Sequence, residues 1–533
     1  MKLRCSLLLA LACFLIAPAA FGQSEGGSLT GSLESNSIWD DEADSPYKGF
    51  HSNNYLKLDY RRGGLSAGLQ GEWYPSPLPG YDQALKGWSL PVKYVTWQTK
   101  GWSLTGGDFY EQFGSGILLR SWEDRALGLA NSLGGARFKG DFGGLAVTLL
   151  AGAPRSASAR SGYASTLVSG ADVTVDPFRL LGRDNPLGLT FGGALTDRYE
   201  WAPESDMSLL LGVDAPKSLL LHSFRAGIAP GAFQLSFEYV GKGKDFTAIR
   251  HKGSGDTYEL LSGRALSAEA AWTGSRLSLT ASWRYLDNMA LRSHRTLGSI
   301  VPSNTLNYLP ALCQQQTYML ASLNPYETYA EGESGFRGDA YYRIPRGTWL
   351  GGKYGMTLHV GGSWINALGK VLPRRDSDQL AYRDINIDLE RKWNKKLKTI
   401  LFVSIQECSP THGNRKGTEA QNVFVLENMY KFSSTTSLRT EVQYLYSQER
   451  EKDWMAGLVE LGIAPHWSFQ LSDMYNHGST KEHYWNLSAS WSRESLKCIL
   501  GYGRSREGMV CSGGVCRWQP EYKGFFIRAQ YAF

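Results

Sequence analysis

The chain has 533 residues, and its negative mean hydropathy excludes a protein built from membrane-spanning helices. The formal net charge is +6, and the basic residues stand singly or in pairs, so the charge pattern does not indicate nucleic-acid binding. The 60 glycines and the many Trp and Tyr residues are typical of strands that run between two membrane interfaces.

The N-terminus has the pattern of a cleavable secretory signal. Lys2 and Arg4 precede the apolar run 5–17, and small residues at positions 20 and 22 mark a cleavage site before Gln23. We therefore expect residues 1–22 to be a signal peptide and residues 23–533 to form one outer-membrane β-barrel domain. A lipid anchor on Cys13 is disfavoured, because apolar residues continue beyond it to position 21.

Most of the remaining chain alternates apolar and polar residues with a period of two. Leu65 to Trp73 alternate in this way, directly after the similar run 56–60 and a turn at 61–64, which predicts a hairpin with one apolar face. The same pattern recurs at 223–239, 266–285, 384–390 and 453–533. Helical periodicity is almost absent, which disfavours a soluble protein whose sheet is covered by helices.

The fold class predicted from this pattern is all-β: a single large up-and-down antiparallel transmembrane β-barrel. With 27–38 as the first strand, the segments give about 24 crossings, within a range of 20 to 26, and the even number returns the C-terminus to the periplasmic side. Long outer loops are expected near 110–133, 197–218 and 287–335. Because the number of crossings must be even, Met207 to Val213 is not a crossing and lies within the second of these loops.

Residues 107–135 interrupt the alternation with dense charge. A lipid-facing strand would not carry these charges, so they must face water. If the segment folds inward, it sets a transverse field across the lumen; if it stays outside, its own ion pairs hold it at the rim. The candidate constriction residues are Asp108, Glu111, Arg120, Glu123, Asp124 and Arg125, with Asp384, Asp388 and Glu390 on the polar register of a later strand.

Residues 287–333 form a connection too long for an ordinary loop, which indicates a lid, a plug or a partner-binding surface. Its aromatic residues could stack on a sugar or a peptide, or could pack the loop onto the barrel. The candidate contact residues are Tyr308, Tyr318, Tyr326 and Tyr329.

Five cysteines remain after removal of the signal. Cys511 and Cys516 close a small loop and could form a disulfide in an oxidising compartment. A zinc site is not expected, because no second pair of ligands lies nearby in the sequence. The sequence gives no interpretation for the other three, Cys313, Cys408 and Cys498.

The last nine residues, FFIRAQYAF, place five apolar residues on one strand face and end on an aromatic carboxylate. This ending resembles the signal that delivers outer-membrane barrels to their assembly machinery, with Tyr531 and Phe533 as the residues that carry it. The resemblance implies two partners, the assembly machinery and outer-membrane lipid.

Three blocks resemble an uncharacterised outer-membrane barrel family of Bacteroidota, catalogued as a domain of unknown function. They are 107–135, Asn307 to Leu312 (NYLPAL) and Phe237 to Asp245 (FEYVGKGKD). Gln23 as the mature start is similar to many secreted proteins of that phylum. The resemblance covers most of the mature chain and implies a fold and an outer-membrane location, but no activity, site or cofactor. Cys313, directly after the second block, departs from the family pattern.

An enzyme is not expected, because GxSxG, HExxH and phosphate-binding glycine loops are absent and the nine histidines are scattered. The expected function is a passive or gated channel for polar solutes, without a cofactor. The alternative is a structural barrel with a blocked lumen that docks a surface lipoprotein or a secretion component. An energised receptor is disfavoured, because barrel-like alternation begins too early to leave room for an N-terminal plug domain.

Overall fold

The computed structural model of the chain describes residues 26–156, 162–201, 216–250, 256–295, 305–368, 379–408, 418–449, 451–512 and 515–533. The predicted signal peptide, the start at Gln23 and the segment Met207 to Val213 lie outside these ranges.

Twenty-four strands form one antiparallel sheet, which confirms the predicted fold class and strand number. They are β1 (Ser28–Asp40), β2 (Gly49–Arg62), β3 (Leu65–Ser76), β4 (Gly87–Gln98), β5 (Trp102–Phe109), β10 (Leu133–Asp141), β11 (Leu145–Pro154), β12 (Thr166–Val175), β13 (Thr190–Glu200), β14 (Ser218–Ile228), β15 (Phe233–Arg250), β16 (Asp256–Thr273), β17 (Leu277–Asp287), β18 (Gly332–Ile344), β19 (Met356–Ala367), β20 (Gln379–Lys392), β21 (Leu397–Cys408), β22 (Glu419–Lys431), β23 (Thr436–Tyr446), β24 (Trp454–Ile463), β25 (Trp467–Tyr475), β26 (His483–Arg493), β27 (Leu496–Ser505) and β30 (Tyr522–Ala532).

Six short strands form three small hairpins outside this sheet. They are β6 (Gln112–Phe113) with β7 (Leu119–Arg120), β8 (Glu123–Asp124) with β9 (Leu129–Ala130), and β28 (Gly508–Ser512) with β29 (Val515–Gln519). Within the described ranges, helix is limited to α1 (Pro177–Leu180) and a 3-10 turn at Gln83–Leu85. In the described part of the chain, no helix has the length and apolar character needed to span a bilayer.

The sheet closes on itself between its first and last strands. β1 pairs with β30 from Ser32 opposite Ala532 to Asp40 opposite Gly524. Beyond this register, Gly31 N donates to Phe533 O at 2.8 Å, and Phe533 N donates to Gly31 O at 2.9 Å. Closure matters because the backbone groups of an open edge would have no partner in hydrocarbon.

The two faces of the sheet differ as the period-two pattern predicts. Outward positions carry exposed apolar side chains, such as Ile385, Leu500 and Phe525, which are 54%, 56% and 54% exposed. Inward positions on the same or neighbouring strands carry polar side chains, such as Asp384 and Asn386. Successive side chains of a strand point to opposite faces, so this alternation gives an apolar outer surface and a polar inner wall.

The connections differ in length between the two ends of the barrel. One end, here called the turn end, carries the short turns, such as 63–64 and 494–495, together with the start of β1 and the C-terminus. The other, here called the loop end, carries the long connections, including 110–132 and 288–331. This sorting is the one that parity requires of an up-and-down barrel.

Candidate functional site

Residues 110–132, here called the first plug segment, fold into the barrel. At one side the Arg125 guanidinium pairs with Glu34 on β1 and lies 4.4 Å from the ring centre of Tyr55 on β2. At the other side Ser115 N donates to Glu238 Oε2 on β15 at 3.2 Å. β1 and β15 lie nearly opposite each other, because the chain of pairings between them runs through nine other strands. The segment therefore crosses the lumen.

The tip of the first plug segment requires a glycine. Gly114 has φ +55, and a Cβ at this position would overlap the Glu238 carboxylate and the Arg225 side chain. Arg225 is itself held by Asp172 at 2.7 Å. The tip is thus fitted against a fixed ion pair on the far wall.

The charged residues of this segment lie inside the barrel, and the structure pairs them. Asp108, at the end of β5, accepts from Lys93 Nζ at 3.1 Å and from Tyr163 OH at 2.7 Å. Glu111 lies 3.3 Å from Arg137 and 2.7 Å from Lys139, both on β10. These contacts tie the beginning of the segment to the wall, so the inward alternative of the sequence prediction describes its position.

Four further candidate constriction residues make contacts in the middle of the segment. Arg120 lies over the ring of Tyr308, 4.0 Å from its centre, and Asp124 accepts from Leu127 N at 3.2 Å. Glu123 accepts from Gln70 Nε2 on β3 at 2.7 Å and from Arg125 Nε at 2.9 Å. Burial opposes the charged form of Arg125, but Glu123 and Glu34 outweigh it and raise the pKa of this guanidinium.

Residues 288–331, here called the second plug segment, join the first segment inside the lumen; 296–304 lie outside the described residues. Arg120 N donates to Leu306 O at 2.8 Å, and Tyr308 N donates to Gly116 O at 2.9 Å. Asn307 Nδ2 donates to Ile117 O at 3.1 Å. The two segments therefore form one body, here called the plug.

The second plug segment is held on the wall of β20 to β23 by a set of side-chain hydrogen bonds. Leu320 N donates to Gln443 Oε1, and Gln406 Nε2 donates to Ala321 O, each at 3.1 Å. Gln316 and Asn324 donate to Asn386 and Gln421 at 3.0 and 3.1 Å. Inward amides on four adjacent strands thus satisfy polar groups of the segment that would otherwise be buried without partners.

Apolar contacts seal the plug against much of the wall. One cluster joins Phe113, Leu118 and Leu306 of the plug to positions on β5 and β10 to β17. Two others join the second segment to β19–β21 and to β21–β24. The wall positions in the three clusters are Phe109, Leu133, Leu150, Val168, Ala194, Leu219, Leu221, Val240, Ala265, Leu286, Ile365, Ala381, Tyr382, Phe402, Cys408, Val423, Val425, Leu445, Trp454 and Ala456.

The four candidate contact tyrosines belong to this plug. Tyr318, Tyr326 and Tyr329 are buried against the inner wall, where Tyr318 OH donates to Glu427 at 3.1 Å and Tyr326 OH donates to Glu333. Burial, with Glu333 alongside, raises the pKa of Tyr326 far above its usual value. Tyr308 is partly exposed and lies beneath Arg120. Three of the four rings therefore present no free face to a ligand at the outer surface.

One part of the remaining wall is polar and partly exposed. β25 to β27, β30 and β1 contribute no buried residue to the three apolar clusters among the described residues, and only Met474 and Tyr484 pack against one of them. Their inward side chains are mostly small or uncharged. This surface, here called the polar sector, consists of Glu34, Asn36, Gln470, Asn486, Ser488, Ser490, Arg528 and Gln530.

Asp384, Asp388 and Glu390 lie on the inward face of β20. Asp384 is buried and accepts from Asn386 Nδ2 at 2.7 Å, whereas Asp388 pairs with His359 at 2.7 Å and Glu390 with Lys398 at 3.3 Å. The last two lie near the turn end, below the plug. Asp384 instead lies at the level of the amides that hold the second plug segment.

The hairpin β28–β29 covers the plug at the loop end. A disulfide joins Cys511 to Cys516 across this hairpin. Arg517 Nε donates to Ala126 O of the first plug segment at 2.7 Å, and Arg506, just before β28, donates to Leu323 O of the second at 3.0 Å. The hairpin therefore contacts both plug segments.

Sequence reasoning identified the charged residues of the first plug segment. It missed the wall residues that hold this segment, which are Glu34, Gln70 and Glu238. The signal that could have identified them is a charged or amide residue at an inward position of a strand whose other inward residues are small and polar. No group of three or more His, Cys, Asp or Glu residues is placed to hold a metal ion within the described ranges.

Comparison with solved structures gives fold likeness at low sequence identity. A P pilus tip assembly intermediate of Escherichia coli (PapC-PapD-PapK-PapG) is 10% identical with a TM-score of 0.50, covering 97% of this chain and 62% of that chain. OccK8 (OprE) of Pseudomonas aeruginosa is 13% identical with a TM-score of 0.43, covering 80% of this chain and 100% of that one. The siderophore receptor PirA of the same organism is 10% identical with a TM-score of 0.42, at 96% and 81% coverage.

No curated protein matches the chain. One family model matches it over residues 1–533, and its description is "Family of unknown function (DUF6029)". The chain therefore belongs to the DUF6029 family, and its fold is the closed 24-stranded barrel of outer-membrane proteins.

Proposed function

We propose that this protein is a gated channel for polar solutes in the outer membrane of a Gram-negative cell, and that the plug is its gate. The observation that carries the proposal is the plug itself, two segments that meet inside a wide barrel with a polar wall. Barrels of 16 to 18 strands already enclose an aqueous channel, so a lumen of 24 strands is wide unless the chain fills it. The resemblance to a Bacteroidota family suggests the source.

The route for a solute would run between the plug and the polar sector. Against β5, β10 to β17 and β19 to β24 the described plug residues meet the wall through buried apolar clusters, and separating those surfaces would expose them to water. The polar sector offers hydroxyls, amides and two charges that a hydrated solute can contact. A small displacement of the plug from this side therefore opens a wet path at low cost.

The Arg125 contacts hold the plug against the edge of the polar sector. The side chains of Arg125 and Glu34 are 24% and 25% exposed, so water can replace their hydrogen bond. A hydrogen bond to a charged group contributes about 1.5 to 3 kcal/mol, so its loss weakens the attachment of this end of the segment to β1.

The test is planar-bilayer conductance of purified Arg125→Ala beside the wild type. Losing about 2 kcal/mol of plug anchoring should raise the ratio of open to closed channels roughly thirty-fold. Arg264→Ala is the matched control, because Arg264 lies in the outward register of β16, where it pairs with Asp287 and faces away from the lumen. If wild type, Arg125→Ala and a variant lacking 111–131 all fail to conduct, the channel proposal is wrong.

The alternative function is a docking barrel whose lumen stays blocked. The observation that favours it is the apolar packing of the plug, which resembles the core of a folded domain more than a loose constriction. A surface lipoprotein or a secretion component would then bind the loop end. Co-purification from native membranes separates the two: a stoichiometric partner and a non-conducting barrel support docking, whereas a lone conducting barrel supports the channel.

A further inference from the structure

Two neighbouring turns at the turn end carry a dense group of cations. They are residues 345–355, between β18 and β19, and 391–396, at the end of β20 and in the turn that follows, here together called the basic turn pair. All but the partly buried Arg391 are exposed. The six cations are Arg346, Lys353, Arg391, Lys392, Lys395 and Lys396.

The described residues supply no carboxylate partner to these cations. Among the described residues, none of the six forms an ion pair, and the nearby Glu390 points into the lumen, where it pairs with Lys398 at 3.3 Å. Smaller groups of cations stand elsewhere at this end, such as Arg61 with Arg62 and Arg179 with Arg183. The basic turn pair is therefore a local excess of positive charge that the described residues do not neutralise.

Large apolar side chains lie among these charges. Trp349 is 91% exposed, Trp393 51% and Leu350 47%. A Trp at the tip of a turn loses the benefit of burial if it faces only water, so this exposure indicates an apolar phase or a partner that receives it.

The turn that presents Trp349 is ordered by its own hydrogen bonds. Gly347 N donates to Gly352 O at 2.7 Å, and Gly352 N donates to Thr348 O at 2.8 Å. Thr348 Oγ1 donates to Pro345 O at 2.8 Å. Gly347 and Gly352 have φ of +80 and +54, which L residues rarely adopt, so the sequence is built for this shape.

Part of the basic turn pair lies on the membrane side of the barrel. Arg391 belongs to the outward register of β20, together with Ile385 and Ile387, and its guanidinium lies 4.2 Å from the ring centre of Trp393. Its terminal nitrogen also lies beside Gly352, where a Cβ would be 3.2 Å away. The turn 345–355 thus contacts an outward side chain at the level where strands leave the hydrocarbon.

We propose that the basic turn pair binds anionic phospholipid headgroups of the leaflet at the turn end, with Trp349 and Leu350 inserted below the phosphates. The proposal rests on the membrane location in the proposed function. Cations attract lipid phosphates, and Trp is enriched at the level of the headgroups. An acidic protein or polysaccharide would satisfy the cations equally well, but it would not supply the apolar phase that Trp349 and Leu350 require.

Native mass spectrometry of the folded, detergent-solubilised barrel tests the site. Phosphatidylglycerol and phosphatidylcholine with the same acyl chains are added separately, and the wild type should retain the anionic lipid preferentially. The variant Arg346→Gln, Lys353→Gln, Lys395→Gln and Lys396→Gln should lose this preference by about ten-fold or more, since each cation near an anionic surface contributes. The matched control Arg62→Gln, Lys100→Gln, Arg183→Gln and Arg276→Gln removes equal charge from other turns and should keep the preference.

A separate variant tests the apolar part of the site. Trp349→Ser should reduce phosphatidylglycerol binding without changing competition by inorganic phosphate. If inorganic phosphate alone displaces the lipid at equal concentration, the site recognises free phosphate and the lipid proposal is wrong. The lipid proposal is also wrong if the wild type and the four-residue variant have equal lipid preference, or if the control loses as much preference as that variant. Binding of acidic cell-wall material without any lipid preference contradicts it as well.

Two further readouts separate this proposal from the proposed function. Heat-dependent mobility in unboiled gels shows that each variant is folded, so a misfolded variant is not counted as a loss of binding. Planar-bilayer conductance of the four-residue variant is independent of its lipid preference. A barrel that never conducts but prefers phosphatidylglycerol contradicts only the channel, and a conducting barrel without the preference contradicts only the lipid site.

Discussion

At the scale of single residues, buried ion pairs fix the wall of the barrel beside the plug. Glu333, at the start of β18, pairs with Arg284 on β17 at 2.7 Å and accepts from Tyr329 N at 2.9 Å. Glu72 and Arg155 form a second buried pair at 2.8 Å. Such pairs fix geometry, because removing one member leaves an uncompensated charge in a low-dielectric site.

Glu333→Ala should lower the free energy of unfolding by about 3 to 5 kcal/mol, since Arg284 would stay buried without its carboxylate. Lys57→Ala should lower it by about 1 kcal/mol or less, because Lys57 is half exposed and its pair with Asp59 is screened by water. Denaturant unfolding in lipid, followed by gel mobility, measures both. Equal stabilities of the two variants would contradict the assignment of Glu333 as a buried anchor.

For the contacts between the plug and the wall, the sequence predicts the charged residues of the plug but not their partners on the wall. Charge density marked Glu111, Glu123 and Arg125 as facing water, because a lipid-facing strand would not carry them. Their partners lie far along the chain, as Glu34 does 91 residues from Arg125, and no local pattern marks Glu34 as an anchor. Pairing between distant inward positions follows from barrel closure and from the path of the plug, which a linear pattern does not contain.

At the scale of the elements, the sequence located the two plug segments but did not show whether they fold into the lumen. Length and the loss of alternation identified both segments as unusual. Whether they fold inward depends on complementary surfaces such as Leu221, Phe402 and Gln443, which belong to strands elsewhere in the chain. Each of these residues is an ordinary inward position in its own strand, so their joint surface appears only in the folded barrel.

Cys313 reports on the state of the second plug segment. Burial raises the pKa of its thiol, so little thiolate is present at neutral pH. A water-soluble maleimide should label native Cys313 far more slowly than a cysteine introduced by Thr480→Cys, since Thr480 is exposed at the loop end. Leu320→Ala removes a fully buried plug residue at a cost of about 2 to 5 kcal/mol and should accelerate labelling of Cys313.

Leu500→Ala is the control for this experiment, because Leu500 faces outward and is 56% exposed. It should leave the labelling rate of Cys313 unchanged. Rapid labelling of Cys313 in the folded wild type would show that the second plug segment is not packed against β19 to β21.

At the scale of the whole molecule, the fold was the part most accessible from sequence. Period-two alternation is a property of each strand, and the even number of crossings is a property of closure, so both can be read without tertiary contacts. The structure confirms 24 strands, with the short turns at the end that holds the start of β1 and the C-terminus. The division of the lumen into a sealed wall and a polar sector was not predictable, because it depends on where the plug rests.

Hydrogen–deuterium exchange of the intact barrel in lipid tests most directly whether the plug fills the lumen. Peptides covering 113–122 and 305–324 should exchange as slowly as the wall strands, because their amides are bonded inside the barrel, whereas the exposed turn 345–355 should exchange faster. If the two plug peptides exchange within seconds while the wall strands stay protected, the segments lie outside the lumen and the account of a plugged, gated barrel is contradicted.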